Sequence, residues 1–444
     1  MNDREEKYAK TLAAMLSCET VSTEKQTDLT KFYRFHELLR ELFPHLFTAA
    51  EFEEYGACIL VRWKGKTPEG NAEKLPVLFM NHHDVVEAQG KWKHEPFSGD
   101  IAEGKVWGRG ALDTKGGLWG MLTAADELIE EGFVPDRDIY FESSAAEEIS
   151  HSYYGAYTIA KVLEERGIRF EWILDEGGMI MHEPISGVNG TFAMVGLGEK
   201  GCNSLKFIAK GKGGHASAPE NNTPLVCLGR FMNEADKMKV FKKELSPVMR
   251  EMFRRLAPYV RFPMNIVYGH PGLFHSILEI IMPKLSGTPR ALVQTTIAFT
   301  MASGSEGYNV IPAEAYVVGN MRTSHHQKFK ESFNAISELA AKYDIETEIL
   351  EEGIDSKLSN YDSEGFKLIE TAVNSSFKDV KTAPYIMTGG SDLRFMDKLG
   401  ENCFHFVPFL IDKEQLESIH GINECVDIKT LAPAVDFYKV LMRG

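Results

Sequence analysis

The 444-residue sequence has no C-x-x-C pair among its six cysteines, Cys18, Cys58, Cys202, Cys227, Cys403 and Cys425. Scattered cysteines in a chain this long read as reduced thiols, not as a disulfide framework. No stretch approaches the roughly 18 apolar residues that a membrane helix needs. The start, Met1-Asn2-Asp3-Arg4-Glu5-Glu6, is acidic and lacks the apolar run of a signal peptide. These absences lead us to expect a cytoplasmic protein with no membrane partner. Basic residues are scarce as well: 49 Lys and Arg stand against 64 Asp and Glu, for a net charge of −15. Nucleic acids and anionic membrane surfaces need clustered Lys and Arg, so neither is an expected partner. Internal repeats and low-complexity tracts are also absent. What is present is ordinary for a globular protein, 43% hydrophobic and 25% charged, at a length that suggests two domains or more.

Strands and helices alternate through the first part of the chain. Apolar spacing predicts a helix over Glu5 to Ser17, strands at Cys58 to Trp63 and Pro76 to Met80, and a helix over Leu118 to Leu128. A strand at Arg137 to Ser143, a helix at Ala156 to Glu165 and a buried strand at Glu171 to Leu174 follow. This rhythm predicts a parallel or mixed sheet covered on both faces. Near Glu199-Lys200-Gly201 it changes. Strands at Leu205 to Ala209, Gln294 to Thr300, Ala315 to Asn320 and Glu346 to Leu350, with helices at Pro224 to Ala235 and His326 to Lys342, give the order β-α-β-β-α-β. The stretch from Lys237 to Arg290 reads as a mostly helical insertion without an obvious place. After Ile354 the βα rhythm resumes. The expectation is an α/β mixed-sheet domain made of residues 1–198 and 353–444, interrupted by an inserted α+β, ferredoxin-like domain over 199–352.

Five short elements carry candidate chemistry. The strand ending at Met80 runs into His82-His83-Asp84. In extended chain His82 and Asp84 share a face, and a carboxylate beside an imidazole is the usual way to orient a metal-binding histidine. Gly108-Arg109-Gly110 leads to Asp113 at a helix start. Glu147-Glu148 follows a run of small residues at a strand end, and Asp175 ends an apolar strand. His420 lies in a late loop. Each has a plainer explanation: an N-cap for Asp113, a solvated pair for Glu147-Glu148, a structural loop histidine for His420. Their joint placement favours chemistry. His82, Glu148 and Asp175 all fall at carboxyl ends of predicted strands, where open α/β sheets bind ligands. Two imidazoles and three carboxylates suit a pair of zinc ions, and cobalt or manganese fit the same donors. Glu147 is left to take a proton from water and pass it to a leaving amine.

With these motifs in hand, the sequence resembles the co-catalytic zinc metallopeptidases that include carboxypeptidase G, acetylornithine deacetylase, succinyl-diaminopimelate desuccinylase and the aminoacylases. The ordered matches are His82-His83-Asp84-Val85-Val86, Trp92 with Pro96-Phe97, Gly108-Arg109-Gly110 with Asp113 and Lys115-Gly116-Gly117, and Glu147-Glu148. Asp175-Glu176-Gly177-Gly178, Gly214-His215-Ala216-Ser217-Ala218-Pro219, Asn309-Val310-Ile311-Pro312 with Arg322, and His420 with Asn423-Glu424 complete them. The branch most similar is that of the Gly-Xaa carboxypeptidases and N-acyl amino acid hydrolases. The resemblance implies that His82 and Asp175 bind one zinc, Glu148 and His420 the other, and Asp113 bridges. It implies Asp84 as the orienting residue for His82 and Glu147 as general base and acid. It further implies His215 as an oxyanion donor, in many relatives from the partner of a homodimer formed through the inserted domain. Arg322 would hold a substrate carboxylate, a task its planar fork suits. Asn309 and the loop Gly389-Gly390-Ser391-Asp392, through Gly390, would line the substrate. Asn81, Glu87 and Ala146 depart from the residues usual in relatives, which bears on the substrate and removes no ligand.

The expected activity is hydrolysis of an amide bond in a small substrate with a free carboxylate, a dipeptide or an N-acyl amino acid. The rivals are an aminopeptidase, which needs an acidic pocket for a substrate ammonium, and a catalytically silent binding protein on the same fold. His83 and His94 read as structural, and Trp107 and Trp119 as core.

Overall fold

Val77-Leu78-Phe79-Met80 is buried along its whole length, and its alternate side chains enter two different cores. Val77 and Phe79 join one hydrophobic cluster, Leu78 and Met80 another on the opposite face. Neighbouring strands divide the same way: Ile59 and Val61 against Cys58 and Leu60, Ile139 and Phe141 against Tyr140. A strand apolar on both faces needs cover on both, as in parallel sheets. The structure, a computed structural model, describes residues 2–66, 74–149, 155–284 and 287–444.

Among the described residues the main sheet has ten strands, in the spatial order Glu51–Tyr55, Cys58–Trp63, Ile139–Ser143, Val77–Met80, Phe170–Asp175, Gly400–His405, Thr191–Glu199, Ile180–His182 and Leu410–Ile411, with Val380–Met387 also paired to Thr191–Glu199. Four central neighbours, Ile139–Ser143, Val77–Met80, Phe170–Asp175 and Gly400–His405, run parallel, so their carboxyl ends share one edge. Helices Asp3–Leu16, Lys115–Glu130, Glu364–Ser376 and Ile428–Arg443 cover one face, and Ala156–Glu165 and Leu393–Met396 contribute to the other. Trp119 is fully buried, as expected of core, and His94 stacks on Trp107 at 4.6 Å.

Among the described residues the second sheet has four strands, ordered Thr296–Ser303, Glu314–Thr323, Gly201–Lys210 and Ile345–Glu351, all antiparallel. Helices Pro224–Ala235 and Phe329–Ala341 bury Phe231 and Ile336 against its Phe207, Ile297 and Met321. The chain order is the β-α-β-β-α-β read from the sequence. The stretch between Lys237 and Arg290 is helical at Pro247–Leu256, Met264–Gly269 and Pro271–Ile281; its residues 285–286 lie outside the described residues. Its first residues, Met238 and Phe241, still join the core of the small sheet, but its helix Pro247–Leu256 does not. Val248, Met249, Met252, Phe253 and Leu256 join the core of the main sheet instead. Among the described residues, no helix is long and apolar enough to cross a membrane.

Candidate active site

The chain leaves Val77–Met80 through Asn81 and turns His82 into the carboxyl edge of the parallel strands, buried. His82 Nδ1 lies 2.9 Å from the carbonyl oxygen of Asp84 and 3.4 Å from Asp84 Oδ1. Both are acceptors, so the ring proton belongs on Nδ1 and Nε2 carries the lone pair a cation needs. Asp84 is itself tied down: Ser22 Oγ donates to it at 2.6 Å, and the amides of Glu147 and Glu148 each donate at 3.2 Å. One carboxylate therefore aims the imidazole and shapes the turn that presents both glutamates. His83 faces the other way, its Nδ1 2.8 Å from Ser143 Oγ and its ring stacked on Phe35.

Asp113 sits on a turn that a buried ion pair holds. Glu424 Oε2 accepts from Arg109 Nη1 at 2.7 Å and from the Gly110 amide at 3.1 Å. Its Oε1 accepts from the amides of Leu112 at 2.7 Å and Asp113 at 3.1 Å. Arg109 Nη2 also donates to the Gly421 carbonyl at 2.7 Å, so one pair fastens the loops of Asp113 and His420 together. Gly110 has φ +89°, and a Cβ there would lie 2.9 Å from Val85 Cγ1; only glycine fits.

The convergence is close. His82 Nε2 is 3.1 Å from Asp113 Oδ1 and 3.5 Å from Glu176 Oε1. His420 Nε2 is 3.0 Å from Asp113 Oδ2 and 3.0 Å from Glu148 Oε2. Ligand atoms of His82, Asp113 and Glu148 lie within 4.8 Å of one another, as do those of His82, Glu147 and Glu176. Asp113 thus stands between the two imidazoles, one oxygen to each. Of the residues singled out in the sequence as ligands, His82, Asp113, Glu148 and His420 come together. Asp175 does not join them. Its Oδ2 accepts the Leu393 amide at 3.0 Å, and the neighbouring Glu176 occupies the place beside His82. Sequence reasoning missed Glu176 because the phase of a two-residue alternation is undetermined where the strand stops.

Electrostatics shows what the cluster lacks. Burial pushes the Glu176 carboxyl up to about 8 and Glu147 well above the ordinary range, with His82 opposing in both cases. Burial lowers His82, but Glu176, Asp113 and Asp84 together carry it well above its usual value. Hydrogen bonds to Asp113 and Glu148 push His420 up to about 10. Burial raises Asp113 too, yet its bonds to His420 and His82 hold it below the carboxylate range. Acids outnumber imidazoles in a site partly closed to water, and that charge calls for cations. Mixed nitrogen and oxygen donors with an aspartate placed between two groups fit a pair of divalent ions.

The cluster opens into a cavity of about 470 Å³ whose lining includes Glu147, Glu148, His420, Arg322, Gly390 and Arg394. Arg322 and Gly390 therefore reach the site, Arg322 from the small sheet. His215 and Asn309 do not line this cavity. They are exposed on the short pairing of Gly214–His215 with Val310–Ile311, where the Ala216 amide donates to the Asn309 carbonyl at 3.0 Å.

Comparison with known proteins agrees with this geometry. The sequence profile of peptidase family M20/M25/M40 matches residues 78–444. A Dictyostelium discoideum protein named probable carboxypeptidase S-like 2 is 30% identical, over 98% of this chain and 84% of its own. The Homo sapiens N-fatty-acyl-amino acid synthase/hydrolase PM20D1 is 28% identical, over 96% of this chain and 84% of its own. The M20 family metallo-carboxypeptidase Sso-CP2 from Sulfolobus solfataricus has the same fold, with a TM-score of 0.72 at 18% identity, covering 100% of this chain and 99% of that one.

Proposed function

The chain belongs to peptidase family M20/M25/M40, and on that premise we propose that it hydrolyses the amide bond of a small substrate bearing a free carboxylate, a dipeptide or an N-acyl amino acid. The observation that carries the proposal is the gathering of two imidazoles and four carboxylates, His82, His420, Asp113, Glu147, Glu148 and Glu176, of which Glu147, Glu148 and His420 line one cavity. His82 and Glu176 would hold one ion, Glu148 and His420 the other, and Asp113 both. Zinc is our assignment, with cobalt and manganese compatible with the same donors. When bound, such a pair of ions supplies Lewis acidity, polarising the scissile carbonyl and making water nucleophilic at neutral pH.

The chain's own groups do the rest. Asp84 and its carbonyl fix His82. Glu147 receives the proton of the attacking water on its carboxylate and delivers it to the departing nitrogen, which leaves as an amine. Arg322 and Gly390 engage the substrate carboxylate across the cavity. The relatives are named carboxypeptidase S-like and N-fatty-acyl-amino acid synthase/hydrolase, names that accord with a substrate ending in a carboxylate. His215 and Asn309, exposed and outside the cavity, are assigned to the site of a partner subunit in a homodimer. We assign residues 1–198 and 353–444 to the catalytic domain and 199–352 to the inserted lid, with the helices between Lys237 and Arg290 packed on the former. Free thiols at all six cysteines accord with a reducing compartment such as the cytoplasm.

Glu351 and Glu352 also line the cavity, which gives the aminopeptidase reading its one support: acids that could meet a substrate ammonium. A panel of dipeptides, N-acyl amino acids and carboxyl-blocked peptides separates the two. We expect hydrolysis of N-acyl amino acids, two metal ions per chain, and about a 10²- to 10⁴-fold loss in Glu147→Ala with metal retained. Full activity in that variant would sink the mechanism.

A further inference from the structure

Two guanidinium groups converge on the space over Gly390. A Cβ built on Gly390 would lie 3.3 Å from Arg394 Nη1 and 4.0 Å from Arg322 Nη1. The two arginines come from different sheets' domains: Arg322 from strand Glu314–Thr323, Arg394 from the short helix Leu393–Met396 after the glycine loop. Both line the cavity that holds Glu147, Glu148 and His420. Arg322 uses its Nε on Asn320 Oδ1 at 2.9 Å and leaves its terminal nitrogens toward the cavity. Arg394 makes no hydrogen bond or ion pair among the described residues; its contact is with the Phe395 ring at 4.8 Å. A guanidinium has five donors and no acceptor, and leaving them unmet in a partly buried place is costly.

Asp392, Glu199 and Glu147 act on Arg394 through space without accepting a hydrogen bond from it, and Asp392 keeps a buried Oδ1 with no hydrogen bond among the described residues. Asp392 accepts from the Ser144 hydroxyl, and Glu199 Oε2 accepts from the Ser391 amide at 2.7 Å. With the Leu393 amide bonded to Asp175, these contacts fasten the loop that carries Gly390 and Arg394. The same bonds explain what Asp175 does: it positions this loop.

We propose that Arg394 is a second carboxylate-binding residue, and that the substrate carboxylate lies over Gly390 with one guanidinium on either side. A carboxylate has acceptor positions for both forks, and an anion there gives Arg394 the hydrogen-bond acceptor it lacks. Gly390 is then required for space, since any side chain would fill the seat. The inference rests on the amide hydrolase reading above and names the residue that, with Arg322, selects a free carboxylate.

The test is the ratio of kcat/KM for an N-acyl amino acid over its carboxamide, measured with the metal-loaded enzyme. The parent should prefer the acid. Arg394→Gln should lower that ratio about 10- to 100-fold, chiefly through KM, with partial recovery in Arg394→Lys. Gly390→Ala should lower it too without changing any charge. An unchanged ratio in Arg394→Gln overturns the proposal; if that variant does not fold, an unchanged ratio in Gly390→Ala does so. Should the parent hydrolyse nothing on the panel, the functional reading fails. Calorimetric titration of the N-acyl amino acid into metal-stripped protein then decides the inference alone. Binding that is lost in Gly390→Ala and Arg394→Gln supports it, and binding that is unchanged or absent in the parent ends it.

Discussion

The carboxyl edge of the parallel strands and the two-stranded pairing of Gly214–His215 with Val310–Ile311 carry equally visible sequence motifs, and the molecule treats them in opposite ways. At the edge, His82, Asp84 and Glu424 are buried and each meets several partners. On the separate two-stranded pairing, His215 is exposed, and its bonds are to Ser217 two residues away. A set that locks itself together is built to work from within one chain. A histidine presented to solvent on a two-residue strand pairing has no such set around it.

The largest expected effect tests the first half of that contrast. The side chains of Arg109 and Glu424 are 1% and 0% exposed. Replacing Glu424 by Gln leaves a buried guanidinium without its counter-charge, which should cost about 3–5 kcal/mol of folding stability. Chemical denaturation of the metal-free protein measures it. A loss below about 1 kcal/mol, the scale of a surface pair, would mean the edge is no more tightly built than the outside.

The second half is tested by His215. Its removal should lower activity about 10²- to 10³-fold, the scale of one oxyanion donor, with stability and metal content unchanged. If His215 serves a neighbour's site, mixing His215→Ala with Glu147→Ala should restore activity toward about a quarter of the parent's, since half the dimers are mixed and each has one intact site. No recovery on mixing would return His215 to its own chain or to no role.

Much of this arrangement was readable beforehand, and the exceptions have physical causes. The strand Cys58–Trp63 matches its pattern because it is a short, nearly continuous apolar run buried on both faces, and the helix Ala156–Glu165 because its apolar residues recur at helical spacing. Helix Thr30–Leu42 was passed over although Phe32, Phe35, His36 and Leu39 follow helical spacing; aromatic and polar residues on its buried face blur the pattern. Convergence of His82 with Asp113 and His420 could be expected from motif order alone. The roles of Glu424 and Arg394 could not, because what decides them is which amide or cavity a side chain meets across more than three hundred residues for one and across the gap between two sheets for the other.

The pair Asp175 and Glu176 sharpens the point within a single dipeptide. Glu176→Ala should weaken metal binding by at least the roughly 10- to 100-fold that loss of a supporting residue costs. Asp175→Ala should keep two ions per chain while impairing the carboxylate preference, because it releases the Leu393 amide. Equilibrium dialysis with metal analysis distinguishes them; loss of an ion in Asp175→Ala alone would reverse the assignment.

The smallest effect comes from an ion pair as well formed as the buried one but set in water. Arg166 donates to both oxygens of Glu53 at 2.7 Å. Those bonds push the Glu53 carboxyl down to about 2 from its ordinary 4.5, against a burial effect that would raise it. A carboxyl held lower in the folded than in the unfolded state contributes stability above pH 4.5, and the contribution fades as pH falls from there through about 2. The side chains are 43% and 37% exposed, so solvent screening leaves under about 1 kcal/mol of it. Thermal unfolding of the parent and Glu53→Gln should therefore differ slightly at pH 6 and converge near pH 2. A difference at pH 6 as large as that of Glu424→Gln would show that bond length, not burial, sets the strength of these pairs, and would remove the ground for treating the two regions as unlike.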